Sequence, residues 1–316
     1  MKKTAILSSF CFLFFVWFFS NCSSFNEIRV AGTNFTEEVG QSQNLVFTFN
    51  KDLVSMAELN NWDSTQYVTF EPAVRGKFKW TAPNELVFSP VAGFGAATSY
   101  KAQLTELITE KADKEKKYKL SQDPIPFHTP YLQLVETESW WTLSIETGRQ
   151  EARLRLHFNY PVNGQNVAEK LKVLSGNQAL DYRILPSQSE SAVTLAFTKV
   201  GAADNNETPV NITIDKGVKV QNTSYSSQEA LAKTISIPSP LHLEVVDIKT
   251  GFENNAGYAR IMTTQELDKE SIANSFTINP EAAAETEITE NGFIIRGTFN
   301  ETETYVLQLK QSLKGI

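Results

Sequence analysis

The sequence predicts an all-β chain built from tandem immunoglobulin-like β-sandwich domains. Apolar and polar residues alternate in short runs, as in Val46, Phe47, Thr48, Phe49 and in Leu154, Arg155, Leu156, His157, Phe158. Successive side chains on a strand point to opposite faces, so a period of two marks a half-buried strand. Gly, Pro, Asn and Asp interrupt these runs at intervals of roughly ten residues, the spacing of sandwich and barrel strands. The runs also return in one order at a long period, and helical periodicity is nearly absent.

Three copies of that order are legible. The first strand of each ends in a turn closed by an aliphatic residue four positions on: Phe49 to Leu53, Phe158 to Val162, Thr263 to Leu267. The steps from Phe49 to Phe158 and from Phe158 to Thr263 are 109 and 105 residues. A second strand follows, Val68–Phe70 before Pro72, Leu171–Leu174, and Phe276–Ile278 before Pro280. A third is Leu86–Phe88, Val193–Phe197 and Phe293–Ile295, and a fourth is Tyr100–Leu104, Val210–Ile214 and Tyr305–Leu309. The first two copies then run 23 residues to a closing strand at Ile125–Thr129 or Thr234–Ile237, followed by Pro130 or Pro238. After Leu309 seven residues remain, so the third copy is expected to lack its closing strand and the chain to be a fragment or broken reading frame. The predicted organisation is a signal peptide at 1–22, a linker at 23–39, and sandwiches at 40–130, 131–238 and 239–316, the last incomplete.

The start of the chain sets the expected compartment. Met1, Lys2 and Lys3 precede an apolar run from Ala5 to Phe19, the charged start and greasy middle of a secretory signal. Phe19, Ser20, Asn21 and Cys22 then place a cysteine where a lipobox would have it, with Phe19 and Asn21 bulkier than usual at their positions. Cys22 is the expected lipidation site. The competing reading is an uncleaved membrane anchor, because the run is only slightly shorter than the ~17–25 residues that span a bilayer. Both tether the chain to a membrane. Acyl chains would hold it well, at ~0.8 kcal/mol per buried methylene. The expected location is the bacterial cell envelope, on the periplasmic or surface side of the outer membrane.

Composition narrows the function. The two cysteines are Cys11, inside the signal, and Cys22, so the mature part has neither an internal disulfide nor a thiol nucleophile beyond Cys22. With 41% hydrophobic and 11% aromatic residues the remainder can build two or three ordinary cores. A net charge of −7 and a pI near 5.2 argue against a nucleic-acid partner, which needs a clustered basic face. The mixed-sign run Glu110–Lys119 reads as a solvated hairpin tip.

The stretch Phe70–Leu104, FEPAVRGKFKWTAPNELVFSPVAGFGAATSYKAQLT, resembles the N-terminal domains of bacterial alpha-2-macroglobulin family proteins, as does the ending Tyr305–Ile316, YVLQLKQSLKGI. The resemblance implies macroglobulin-type sandwiches at the front of a large, lipid-anchored protease trap that carries a bait segment and, in many members, an internal thioester. Proteases would then be partners of the full-length protein. A thioester needs a Cys and a Gln a few residues apart, so the bait and thioester apparatus is not in this chain, which would form stalk and frame.

No residue pattern points to catalysis, a metal or a cofactor. His128, His157 and His242 lack ligand or triad spacing, and His157 alternates with Leu156 and Phe158 as an exposed strand residue would. Glu136 and Glu138 share one strand face, with nothing nearby that suggests a pocket to separate their titrations. Trp140 and Trp141 point to opposite faces and read as interdomain packing. Arg75-Gly76-Lys77 and Gly93-Phe94-Gly95 read as hairpin turns that use glycine's backbone freedom. The alternative function is a stand-alone surface lipoprotein that binds glycan or protein, which an aromatic cluster including Trp62, Trp80 or Tyr67 would support.

Overall fold

The computed structural model describes residues 26–112, 117–186, 189–200, 206–253, 256–300 and 302–316. The signal segment and Cys22 lie outside the described residues. The fold is all-β, with multiple antiparallel sheets consistent with β-sandwich domains. The chain divides into two compact units: one of Ser42–Gly93 and Tyr100–Phe127 with the residues up to Glu37, the other of Glu38–Gln41, Phe94–Ser99 and His128–Ile316.

The first unit uses strands β1 (Glu27–Ile28), β2 (Val30–Thr33), β3 (Leu45–Phe49), β4 (Trp62–Asp63), β5 (Val68–Glu71), β6 (Gly76–Ala82), β7 (Glu85–Pro90), β8 (Ser99–Leu104), β9 (Lys119–Leu120) and β10 (Ile125–His128). They form sheets ordered β2-β3-β7-β6-β4 and β10-β8-β5, with a parallel pair β1-β9. Alternation decides which side faces in: Leu45, Phe47 and Phe49 of β3 are buried, as are Tyr100, Ala102 and Leu104 of β8, while Ser99, Lys101 and Gln103 are exposed. Aromatic rings fill the interior, with Phe70 4.5 Å from Phe88 and Tyr100 stacked 5.2 Å from Phe127 between ring centroids. Each such ring contributes about 1.5–3 kcal/mol by leaving water. Gly76 corrects a sequence expectation. It opens β6 rather than supplying a turn angle, and an added Cβ would lie 2.2 Å from the Phe88 ring, so glycine is there to make room for the core. Gly93, with φ +76°, does use the left-handed region. The charged run begins differently from the expected hairpin tip: Leu107–Lys111 is a short helix, α1, that buries Ile108.

The second unit continues with β11 (Leu134–Leu143), β12 (Gln150–Phe158), α2 (Gly164–Ala168), β13 (Leu171–Ser175), β14 (Gln178–Ala179), β15 (Tyr182–Leu185), β16 (Ala192–Phe197), β17 (Thr208–Ile214) and β18 (Leu231–Ile237). Then come β19 (Val245–Glu253), β20 (Ala256–Thr263), α3 (Lys269–Ile272), β21 (Phe276–Asn279), β22 (Ala284–Thr289), β23 (Gly292–Gly297) and β24 (Val306–Leu309). The sheets are ordered β11-β12-β16-β15, β14-β13-β17-β18, β19-β20-β23-β22 and β21-β24. One core gathers Leu154, Leu156, Val193, Leu195, Val210 and Ile212, and a smaller one Ile261, Leu267, Ile272, Phe293 and Ile295. The starts of α2 and α3 are capped by side chains, Asn163 accepting from the Gln165 and Asn166 amides and Asp268 from that of Glu270.

One pairing order recurs three times. The first strand pairs antiparallel with the third in β3·β7, β12·β16 and β20·β23. The second pairs antiparallel with the fourth in β5·β8, β13·β17 and β21·β24. The fourth strand gains another neighbour as β10 on β8 and β18 on β17, while β24 has β21 alone among the described residues. Among the described residues no helix is long and apolar enough to cross a membrane.

Candidate functional site

The densest grouping of charged side chains lies in the second unit, where the polar faces of two sheets meet. On β12, Leu154, Leu156 and Phe158 turn inward, which forces Arg153, Arg155 and His157 to the other face. Register sets Arg155 opposite Glu138 on β11 and opposite Thr194 on β16, so the same face carries Glu136, Glu138 and Trp140. Facing it are Lys249 of β19, Arg260 of β20, and Glu290 and Asn291 of the turn between β22 and β23.

Glu138 is the hub and is only 7% exposed. Its carboxylate lies 3.5 Å from both the Arg155 and Arg260 guanidinium groups and 3.3 Å from His157 Nε2, and it accepts a 3.2 Å hydrogen bond from Asn291 Nδ2. Burial works against its ionisation. His157 beside it and the charges of Arg260 and Arg155 outweigh that penalty and hold its pKa below the ordinary carboxylate range. Glu290 binds Arg155 and lies 3.9 Å from Arg153, Lys249 binds Glu136, and the Thr142 hydroxyl donates to Glu266. Along the same face, buried Glu151 takes Arg153 at 3.3 Å and Arg183 at 2.9 Å. The Arg155 guanidinium covers the Trp140 ring at 4.9 Å, a cation–π contact. Beside this network lies a cleft of about 710 Å³ whose walls carry Arg153, Arg155, Arg183 and Arg260.

Trp141 points the opposite way, into the larger core, and its main chain reaches the next sheet pair. Its ring lies in the larger core, and its indole N–H donates to the Pro238 carbonyl at 2.7 Å. Its main chain receives and donates across to the next sheet pair: Trp141 N to Thr264 O at 2.9 Å and Glu266 N to Trp141 O at 2.7 Å. The tryptophan pair thus flanks the meeting of two sheets from both faces of β11.

Several sequence expectations change here. His157 is not an exposed strand residue: its outward face is covered by the opposing sheet, which leaves its side chain 27% exposed beside a carboxylate. Glu136 and Glu138 do line a cleft, because residues more than a hundred positions away close over them. The aromatic cluster does not form a surface: Tyr67 and Trp80 pack in the first core 5.7 Å apart, and Trp62 is exposed with Lys79 over its ring. His128 stacks on Tyr131 at 4.2 Å and Tyr131 on Tyr225 at 5.6 Å, while the His242 carbonyl accepts from Thr264 Oγ1. Among the described residues no three His, Cys, Asp or Glu side chains stand close enough to share a metal. Glu136, Glu138, Glu151 and Glu290 each face at least one cation, and the contacts of Glu138 with Arg260, Glu290 with Arg155 and Lys249 with Glu136 cross between the two sheets as a clamp would. Sequence reasoning passed over Arg155, Arg260 and Asn291, although the Arg153-x-Arg155-x-His157 face was there to be noticed.

No family model matches the chain. Among curated proteins it is similar to an alpha-2-macroglobulin of Pasteurella multocida (strain Pm70), 21% identical over 243 residues, covering 73% of this chain and 12% of that protein. An alpha-2-macroglobulin homolog of Yersinia pestis is 24% identical over 208 residues, covering 61% of this chain and 10% of that protein. An alpha-2-macroglobulin of Rickettsia conorii is 21% identical over 51% of this chain and 8% of its own length. The chain therefore spans about a tenth of the length of the curated relatives it matches. Among solved structures, an L,D-transpeptidase 3 from Mycobacterium tuberculosis aligns at a TM-score of 0.22 with 16% identity over 41% of this chain and 44% of that one, too slight a likeness to bear on fold or function. What the comparisons establish is a weak, partial homology to alpha-2-macroglobulin family members, at the level of the family.

Proposed function

We propose that this chain is the N-terminal structural part of an envelope-anchored, broad-spectrum protease trap of alpha-2-macroglobulin type. The observation that carries the reading is the similarity to alpha-2-macroglobulins over 243 residues, which covers 73% of the chain. In this reading residues 40–130, 131–238 and 239–316 are immunoglobulin-like modules of a frame, and Cys22, lipidated after removal of residues 1–22, tethers it to the outer membrane. The chain has no enzymatic role of its own. Proteases are partners of the full-length protein, which supplies the bait. The neutralised network around Glu138 supports a frame function, because it spends its charged groups on holding two sheets together.

The test is an immunoblot of the native envelope with an antibody against residues 40–130, before and after a broad protease is added. A single band many times larger than 35.4 kDa that converts to discrete fragments is the expected result. A stable band at the calculated mass of the chain would refute the trap.

A further inference from the structure

A second cleft, of about 540 Å³, opens within the second compact unit where β11, the end of β18 and the start of β19 converge. Its charged lining is all acidic: Glu136, Glu138, Glu207, Glu244 and Asp247. Lys249 answers Glu136 and Arg260 answers Glu138, whereas Glu207, Glu244 and Asp247 have no cationic partner among the described residues. The last two share the cleft through a β-bulge. The pairing of β19 with β20 shifts between Val245 and Asp247, which brings Glu244 and Asp247, three positions apart, to the same wall.

A buried amide points to a ligand independently of these charges. Asn291, in the same lining, is 3% exposed; its Nδ2 donates to Glu138, and its Oδ1 has no hydrogen-bond partner among the described residues. A buried acceptor left unmet is costly, so the occupant of this cleft has to donate hydrogen bonds. The carboxylates require that it be positive as well. A metal ion does not fit, because among the described residues no three acidic or histidine side chains stand close enough to share one. Glu244 and Asp247 lie about 10 Å apart along an extended strand, so their charges call for cationic groups separated by a spacer. Between them stand Val245 and Val246, 42% and 62% exposed, with Met262 opposite on β20, a surface that suits methylenes.

We propose that this cleft binds a linear polyamine, a methylene chain that carries ammonium groups at its ends. Glu244 holds one ammonium and Asp247 the other, and Glu207 adds to the field that draws them in. One of the two donates to Asn291 Oδ1, and the methylenes cover Val245 and Val246.

The probe is spermidine, titrated calorimetrically onto the full chain at physiological salt, with butylamine and calcium chloride titrated in parallel. Saturable one-to-one binding of spermidine is expected, with butylamine about tenfold weaker because it meets a single carboxylate. Glu244→Gln combined with Asp247→Asn should weaken spermidine about tenfold, through the loss of two screened charge contacts. Both side chains are exposed, so these changes leave the cores intact. Glu285→Gln removes an exposed carboxylate of β22 outside the cleft and should leave binding unchanged. Absence of saturable binding overturns the proposal. Binding that Glu285→Gln weakens as much as the double change also overturns it, since attraction to the net negative charge would then suffice. Calcium that displaces spermidine, and loses its own binding in the double variant, overturns it in favour of a metal site.

Discussion

Replacing Glu138 by Gln keeps its shape and removes its charge. Glu138 is 7% exposed and sits within 3.5 Å of two guanidinium groups, so the change leaves buried positive charge without its counter-ion. Breaking one partner of a buried pair costs ~3–5 kcal/mol. Arg155 keeps Glu290, and Arg155 and Arg260 retain 19% and 29% side-chain exposure through which water can compensate. The expected loss is therefore about 1–3 kcal/mol. Urea denaturation of the second unit's sheets, followed by circular dichroism, measures it, and a double-mutant cycle with Arg260→Met isolates the pair. The pH dependence supplies an independent check. Because the folded state holds the Glu138 carboxyl below its ordinary range, its stabilisation is fully present above the unfolded value and is lost as pH falls through the lower folded value. The Gln variant should lose that acid limb while keeping the rest of the profile. A stability within about 0.3 kcal/mol of the parent, with an unchanged acid limb, would show that Glu138 is not the hub.

Other consequences follow from single contacts. Gly76→Ala places a methyl 2.2 Å from the Phe88 ring and 2.5 Å from the Ser89 carbonyl, so it should destabilise by about 1–3 kcal/mol in denaturant melts, whereas Gly32→Ala meets nothing within 4 Å and should be silent. Trp141→Phe removes the donor to Pro238 O and leaves a carbonyl without its partner, an expected loss of about 1–3 kcal/mol by the same assay. On the proposed lipid anchor, the parent chain should incorporate a radiolabelled fatty acid and Cys22→Ser should abolish that and release the chain from the membrane fraction; label retained by the variant would refute Cys22 as the lipidated residue, and an unlabelled parent would refute the anchor.

Much of the fold was legible because strand pairing follows a period that each segment carries within itself. Leu45, Phe47 and Phe49 bury and Val46 and Thr48 do not, as their alternation requires, and the recurrent order of runs corresponds to the recurrent pairings β3·β7, β12·β16 and β20·β23. The junction around Glu138 was not legible, since its partners Arg260 and Asn291 are 122 and 153 positions away. Period two told which residues leave one core and could not tell what then covers them. His157 therefore reads as exposed in sequence and lies under a second sheet in the fold. Gly76 escaped for a related reason: a glycine demanded by a distant ring looks the same in sequence as one demanded by a turn.

The paired amide bonds that Trp141 makes with Thr264 and Glu266 tie two sheets through their main chains, in addition to the ion pairs nearby. Rotating one sheet pair about the other would have to break both bonds. The sheets on either side of that junction, all within the second compact unit, should accordingly move together. In solution, amide relaxation on β16 and on β23 should report a single rotational correlation time.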